Sequence, residues 1–168
     1  MHISDAHIQK RSKTQIEEIV KKLIADAKKL LKEQNIEVDL VCFSGDLIQR
    51  GDMAIEDENQ WQLAQEVLVN PLIKELGLSI DKFIFSPGNH EVNQKEIIPA
   101  LEKGLQITSL QEINENIENF NSNYVGRLSY FYDIIKDIHP DAIMGRLGYA
   151  YKKELKERSI GIVCVDSA

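Results

Sequence analysis

The feature that most constrains the fold is a set of short apolar runs, each of which stops at a cluster of polar residues. Residues 38–43 and 82–85 are β-rich and almost entirely apolar, and residues 1–3 form a shorter strand-like segment. Such runs are typical of strands covered on both faces of a parallel sheet. Because ligands gather beyond the carboxyl ends of parallel strands, the polar clusters that follow are predicted to meet at one sheet edge.

The first helical pattern lies between the first two runs. From residue 14 to residue 34, apolar side chains recur at three- and four-residue steps. Thr14 is the predicted N-cap, with Glu17 three residues later as in a capping box, and Asn35 is suited to end the helix.

Further elements follow along the chain. A second helical stretch begins near Glu56, and Pro71 is expected to break or kink it. Residues 109–119 and 124–138 also look helical, and residues 160–165 form a further apolar strand. The alternation of strands and helices predicts an α/β fold, a parallel-stranded sheet with flanking helices.

Composition excludes some classes of function. The chain has 168 residues, which suits one domain, and a net charge of −7. That charge argues against a protein whose main task is to coat nucleic acid or an anionic membrane, so nucleic acid could enter only as a substrate. A phosphate-handling enzyme remains compatible with it, because bound divalent cations can supply positive charge locally.

The two cysteines and the lack of export signals predict a cytoplasmic protein. Cys42 and Cys164 each lie in an apolar run and form no CxxC pair, so both are expected to be buried thiols, the alternative being metal ligands. Neither a run of about 18 apolar residues nor a signal peptide is present, so no membrane partner is expected.

Side chains suited to metal binding occupy all three polar clusters. Asp5 and His7 are separated by one residue, so in extended geometry both side chains would point to the same side. A carboxylate and an imidazole suit a borderline divalent metal. Asp46 and Asn89 each follow a glycine and offer oxygen ligands, while His90 could bind metal or move a proton. Taken singly, each motif could also be an ordinary turn or surface segment.

In order, the motifs Asp-x-His, Gly-Asp and Gly-Asn-His-Glu resemble those of the calcineurin-like metallophosphoesterases, which include protein phosphatases, nucleases and nucleotide phosphodiesterases. The resemblance implies the N-terminal half of an α/β/β/α sandwich that hydrolyses phosphoesters through in-line attack of a metal-activated water. By matching position, Asp5 and His7 would hold one divalent ion (Mn, Fe or Zn), Asn89 would hold a second, and Asp46 would bridge the two. His90 would lie outside the metal coordination and protonate the leaving oxygen.

Arg50 lies in a segment similar to the Gly-Asp-x-x-Asp-Arg-Gly of the protein phosphatases, whose arginine grips the substrate phosphate. The alternative is a solvated loop arginine. Gln49 stands where those enzymes have an aspartate that orients the histidine matching His90, and Asp52 is a candidate to take over that task.

The family completes its site with a further histidine and a Gly-His-x-His motif, which are absent from residues 1–168. His139 precedes the strand at residues 160–165 instead of following it, so it is interpreted as an ordinary helix-end residue. Residues 1–168 are therefore interpreted as one metallophosphoesterase domain truncated at its C-terminus. The parent protein would be the hydrolase, and the alternative is a non-catalytic module that binds a nucleotide, a partner protein or a single metal.

For this chain the interpretation predicts at most one weakly held ion and no turnover. It also predicts self-association, or binding of a partner such as the C-terminal remainder of the domain, through an uncovered sheet face. That face would carry Val163 and Val165, or Ile162 and Cys164, depending on register.

Overall fold

The computed structural model describes residues 1–51, 59–97, 109, 127–145 and 148–166. Its first sheet is parallel, in the order β1-β2-β3, with β1 His2–Ile3, β2 Val41–Ser44 and β3 Phe83–Ser86. The register sets Ile3 opposite Phe43 and Ser44 opposite Ser86, so the strands end at nearly the same level. The predicted parallel sheet with flanking helices is confirmed. The two longer strands are each displaced towards the C-terminus relative to the prediction.

The first helix, α1, spans Lys13–Gln34 and ends as expected at Asn35, which adopts a left-handed conformation with φ 50°. The predicted N-cap at Thr14 is wrong. Ser12 is the N-cap, and its hydroxyl donates to the carbonyl of Gln9 instead of capping the helix. The reason is that a 3-10 turn at Lys10–Ser12 feeds directly into α1, which places Thr14 inside the first helical turn.

The second helical stretch continues through Pro71 with a local widening. It consists of α2 Gln60–Ala64, a π-helical turn Gln65–Val69 and α3 Asn70–Leu76. Within the π-helical turn the N–H of Asn70 bonds the carbonyl of Gln65, five residues back. Proline has no N–H to donate, and the wider turn accommodates that loss without breaking the helix. The predicted start near Glu56 lies outside the described residues.

A second, antiparallel sheet follows α4 Ser129–Ile138. It contains β4 Ile143–Gly145, β5 Gly148–Leu155 and β6 Arg158–Val165 in that order. The strand predicted at residues 160–165 is contained in β6, whereas β4 and β5 were not predicted. The hairpin β5–β6 escaped prediction because its two-residue turn is Lys156-Glu157, with Lys156 at φ 55°, where glycine or asparagine is the usual signal. The helix predicted at residues 109–119 and the first part of the one predicted from 124 lie outside the described residues.

The core lies between the helices and the two sheets. Phe85 stacks on Phe43 with ring centroids 5.0 Å apart, and Trp61 meets Phe85 edge-on at 5.1 Å, which confirms Trp61 as a packing residue. Cys164 is buried as expected, whereas Cys42 is only half-buried, and both are free thiols.

The second sheet has one buried face and one exposed apolar face. Tyr149, Tyr151 and Cys164 point into the core, while Ile143, Val163 and Val165 are 76%, 72% and 59% exposed. The register therefore selects the Val163 and Val165 alternative for the uncovered face. Self-association through it stays a prediction. None of the helices in the described residues has both the length and the apolar character needed to cross a membrane.

Candidate metal centre

The loops that follow β1 and β2 stay hydrogen-bonded beyond the ends of the strands. Asp5 N–H donates to Gly45 O at 3.2 Å, and His7 N–H donates to Asp46 O at 2.9 Å. Ile8 then forms an isolated parallel bridge with Ile48. These main-chain bonds bring the first two predicted motifs side by side.

The geometry predicted for the first motif is wrong. Asp5 and His7 are not extended, because their φ angles are 55° and 45°, in the left-handed region. Asp46 shares this conformation at φ 54°. Left-handed backbone costs a residue with a side chain about 1–2 kcal/mol, and such strain concentrates at functional sites. The two side chains are therefore brought together by a strained turn hydrogen-bonded to the second loop, and not by strand alternation.

Glycine is required where the second and third loops touch. A Cβ on Gly88 would lie 2.3 Å from Asp46 Oδ1, and Gly45 adopts φ 105° against the backbone of Gly88. The close approach allows the N–H of His90 to donate to Asp46 Oδ1 at 3.0 Å. Close packing of the two loops thus orients the Asp46 carboxylate.

Three candidate ligands converge. One donor atom from each of His7, Asp46 and His90 lies within 4.8 Å of the other two. Two ligands of one zinc-type ion, each at about 2.1 Å from it, are at most about 4.2 Å apart, so only small side-chain adjustments would be needed. The carboxylate of Asp5 lies next to His7, with its Oδ1 atom 4.0 Å from His7 Nε2.

The donor set fits a divalent transition metal. Imidazole nitrogens together with carboxylate oxygens suit Zn, Fe and Mn. His7 Nδ1 is buried and finds no hydrogen-bond partner among the residues that the structure describes. The rings of His7 and His90 meet edge-to-face with centroids 4.5 Å apart, so both imidazoles are at the same position of the sheet edge.

The tautomer of His90 follows from its contacts. Its Nδ1 lies 2.7 Å from the carbonyl oxygen of Gln49, which can only accept, so Nδ1 carries the proton. The Nε2 atom is then left as the acceptor or metal ligand. The side-chain Nε2 of Gln49 lies farther away, at 3.3 Å from the same ring nitrogen. A main-chain carbonyl therefore occupies the position for which the resemblance implied an aspartate, and Asp52 lies outside the described residues.

Asn89 and Arg50 are close to the cluster in sequence, because Asn89 directly precedes His90 and Arg50 follows Asp46 by four positions. Both are exposed, and Asn89 lies between Gly88 and His90 in the third loop. The backbone N–H of Arg50 donates to Gln60 Oε1 at 2.9 Å. Their side chains are therefore accessible from the solvent, and their predicted roles stay predictions.

Glu91 is a site residue to which the sequence reasoning gave no role. It is 6% exposed and accepts three main-chain N–H groups, from Gly88 at 2.6 Å, Asp46 at 2.9 Å and Ile48 at 3.1 Å. Burial raises the pKa of this carboxyl above its usual value, although the three N–H donors oppose the shift. Its signal was present in the sequence as an acidic residue directly after Gly-Asn-His.

His139 is remote from the cluster. It caps the C-terminal end of α4, as expected for a helix-end residue, but it is buried, and its Nε2 lies 2.8 Å from the carbonyl of Phe83. Its ring also stacks on Tyr151, with centroids 4.1 Å apart. His139 is therefore a packing residue between the two sheets.

Comparisons with known proteins agree with the motifs. The sequence model of the calcineurin-like phosphoesterase family matches residues 1–156. Members of this family are phosphoesterases that bind divalent metals. No curated protein and no solved structure matches the chain.

Proposed function

The chain belongs to the calcineurin-like phosphoesterase family, and we propose that it provides the metal centre of a phosphoester hydrolase at the carboxyl edge of its parallel sheet. The observation that carries the proposal is the approach of His7, Asp46 and His90 to within 4.8 Å of one another. These residues come from three separate loops, so the approach is a property of the tertiary structure and not of one local turn.

We assign the metal ligands as follows. Asp5, His7 and Asp46 would hold one divalent ion, and Asp46 together with Asn89 would hold a second. Divalent ions in such a site would lower the pKa of water and neutralise charge on phosphoryl oxygens. The first set has two carboxylates and an imidazole, whereas the second has two oxygen donors at an exposed edge, so the first ion should bind more tightly.

His90 handles the proton in this proposal. With Nδ1–H bonded to Gln49 O, the Nε2 atom is free to carry a proton to the leaving oxygen of the substrate. The exposed Arg50 follows in the same loop, and its planar guanidinium would contact the phosphate oxygens. The geometry equally allows His90 Nε2 to bind metal, and His90→Asn separates the two roles.

The test combines metal binding with turnover. The metal-free chain would be titrated with Mn²⁺, Fe²⁺ and Zn²⁺ by calorimetry, and the parent protein would be assayed on a phosphomonoester, a phosphodiester and single-stranded DNA. We expect the chain to hold one ion weakly and Asp46→Asn to weaken that binding further, with the exposed Asp133→Asn as the matched control. The substrate that turns over would assign the branch of the family.

Two outcomes decide against the hydrolase. A parent protein that binds metal without turning over any of these substrates would favour the alternative, a non-catalytic metal-binding module. A chain that binds no divalent ion would refute the assignment of the cluster.

A further inference from the structure

Gln60 belongs to none of the sequence motifs, yet it accepts hydrogen bonds from the loop after β2. That loop in turn contacts the ring of His90. It is the first residue of α2, half-buried, and follows the N-cap Asn59. Its Oε1 accepts the N–H of Gln49 at 3.1 Å and that of Arg50 at 2.9 Å. Since both partners are donors, the amide oxygen must face the loop and the amide nitrogen must face away.

The two bonds act on the peptide that orients His90. Gln49 uses its N–H towards Gln60 and its carbonyl towards His90 Nδ1, so one residue is held from both sides. The same N–H also lies 3.2 Å from Ile8 O, which shares it, whereas the Arg50 N–H has its contact at Gln60. Loss of the Gln60 oxygen would remove this acceptor from the Arg50 N–H and leave the Gln49 N–H with its bond to Ile8 O.

We propose that Gln60 is a positioning residue for the metal centre, which fixes the tautomer of His90 and the direction of Arg50 by anchoring the peptide between Gln49 and Arg50. The expected effect of Gln60 on turnover rests on the proposed function, whereas its expected effect on the His90 tautomer does not.

The structural consequence can be measured without turnover. Long-range ¹⁵N–¹H NMR correlations of the His90 imidazole in the full, metal-free chain report which ring nitrogen carries the proton. We expect the Nδ1–H tautomer to dominate in the unaltered chain and in Gln60→Glu, whose carboxylate can still accept both N–H groups. Gln60→Met, which keeps the side-chain length but not the acceptor, should shift the population towards Nε2–H.

The catalytic consequence is measured on the metal-loaded parent protein. Gln60→Met should lower kcat/KM roughly tenfold, within the loss that a misplacement of about 1 Å can cause, and Gln60→Glu should recover most of it. The matched control is Gln62→Met, because Gln62 is exposed on the same helix. Should Gln60→Met fail to fold, Gln60→Asn, which shortens the side chain by one carbon, replaces it.

The outcomes are distinct for the two proposals. An unchanged His90 tautomer in folded Gln60→Met or Gln60→Asn overturns the positioning role, whatever the activity. A loss of activity in Gln62→Met equal to that in Gln60→Met would also overturn it. If the tautomer shifts as expected while no variant hydrolyses any phosphoester, the positioning role stands and the hydrolase proposal fails.

Discussion

The buried carboxylate of Glu91 accepts the main-chain N–H of Asp46 at 2.9 Å. The same oxygen accepts the Gly88 N–H, and the other oxygen accepts that of Ile48. One acidic side chain thus ties the loop after β2 to the loop after β3. Because Asp46 and His90 belong to these two loops, the distance between them depends on Glu91.

Removal of Glu91 should therefore affect both stability and metal binding. Glu91→Ala leaves three main-chain N–H groups without their acceptor, and we expect a loss of about 2–4 kcal/mol in the free energy of unfolding. Urea unfolding measures it, with Glu66→Ala as the control, since the exposed surface pair of Glu66 with Lys13 should contribute little to stability. Equal losses in the two variants would contradict a special role for Glu91.

Asp46→Asn should weaken metal binding while preserving the fold. The asparagine oxygen can still accept the His90 N–H, and Glu91 still holds the main chain, but the charge shared by the two ions is gone. We expect the dissociation constant for Mn²⁺ to rise at least about tenfold in calorimetry, since ligand charge tunes affinity at such sites. Unchanged affinity would remove Asp46 from the ligand set.

In the parent protein, His90→Asn should retain the metal and lose turnover. A positioned proton donor contributes about 10²–10⁴-fold, so kcat should fall by that factor while Mn²⁺ affinity stays within about twofold. His2→Asn, at an exposed position on β1, is the control for loss of an imidazole. If His90→Asn strips the metal instead, His90 is a ligand, as its place in the cluster also allows.

Removal of the hydroxyl group is expected to have different effects on stability at two tyrosines of the second sheet. The hydroxyl of Tyr149 donates to Phe85 O at 2.5 Å and accepts Phe85 N–H at 3.2 Å, so it satisfies main-chain groups of β3. The buried hydroxyl of Tyr151 has no hydrogen-bond partner among the residues that the structure describes.

Tyr149→Phe should therefore cost about 1–3 kcal/mol in the free energy of unfolding, whereas Tyr151→Phe should be neutral or stabilising. Thermal and urea unfolding of the two variants provide the comparison, and each serves as the control for the other. A larger loss in Tyr151→Phe would show that its hydroxyl is satisfied elsewhere.

His139 should make the fold sensitive to acid. Burial lowers the pKa of His139, the Phe83 carbonyl opposes the shift, and nearby Lys153 adds to it while Asp81 works against it. The unfolded chain then binds the proton more tightly than the folded one. Stability from this residue is present at neutral pH and is lost as pH falls below about 6.5, by at most about 1.4 kcal/mol per pH unit.

His139→Gln supplies the comparison for this pH dependence, because it removes the titrating group. The free energy of unfolding from urea titrations between pH 7.5 and 5 should fall less steeply in this variant than in the unaltered chain. Parallel slopes would show that His139 does not contribute to acid sensitivity.

Local sequence patterns were sufficient to predict the parallel sheet, its flanking helices and the family. Apolar runs and three- to four-residue periodicity report burial directly, and Asn35 ends α1 because its side chain tolerates left-handed backbone. The motif residues could be named for the same reason, since strand ends and loop glycines are read from neighbours in sequence. The hairpin β5–β6 was not predicted, because its turn at Lys156-Glu157 has no glycine or asparagine.

The geometry of the site depends on contacts between residues about 40 positions apart, which no local pattern records. Left-handed backbone at Asp5 and His7 is stabilised by bonds to the loop after β2, and the tautomer of His90 is set by the carbonyl of Gln49. Every residue type has such a main-chain carbonyl. The sequence could therefore show only that Gln49 stands where the protein phosphatases have an aspartate. The sequence therefore determined which side chains are present at the sheet edge, whereas tertiary packing decided their conformation, because main-chain hydrogen bonds carry no side-chain signature.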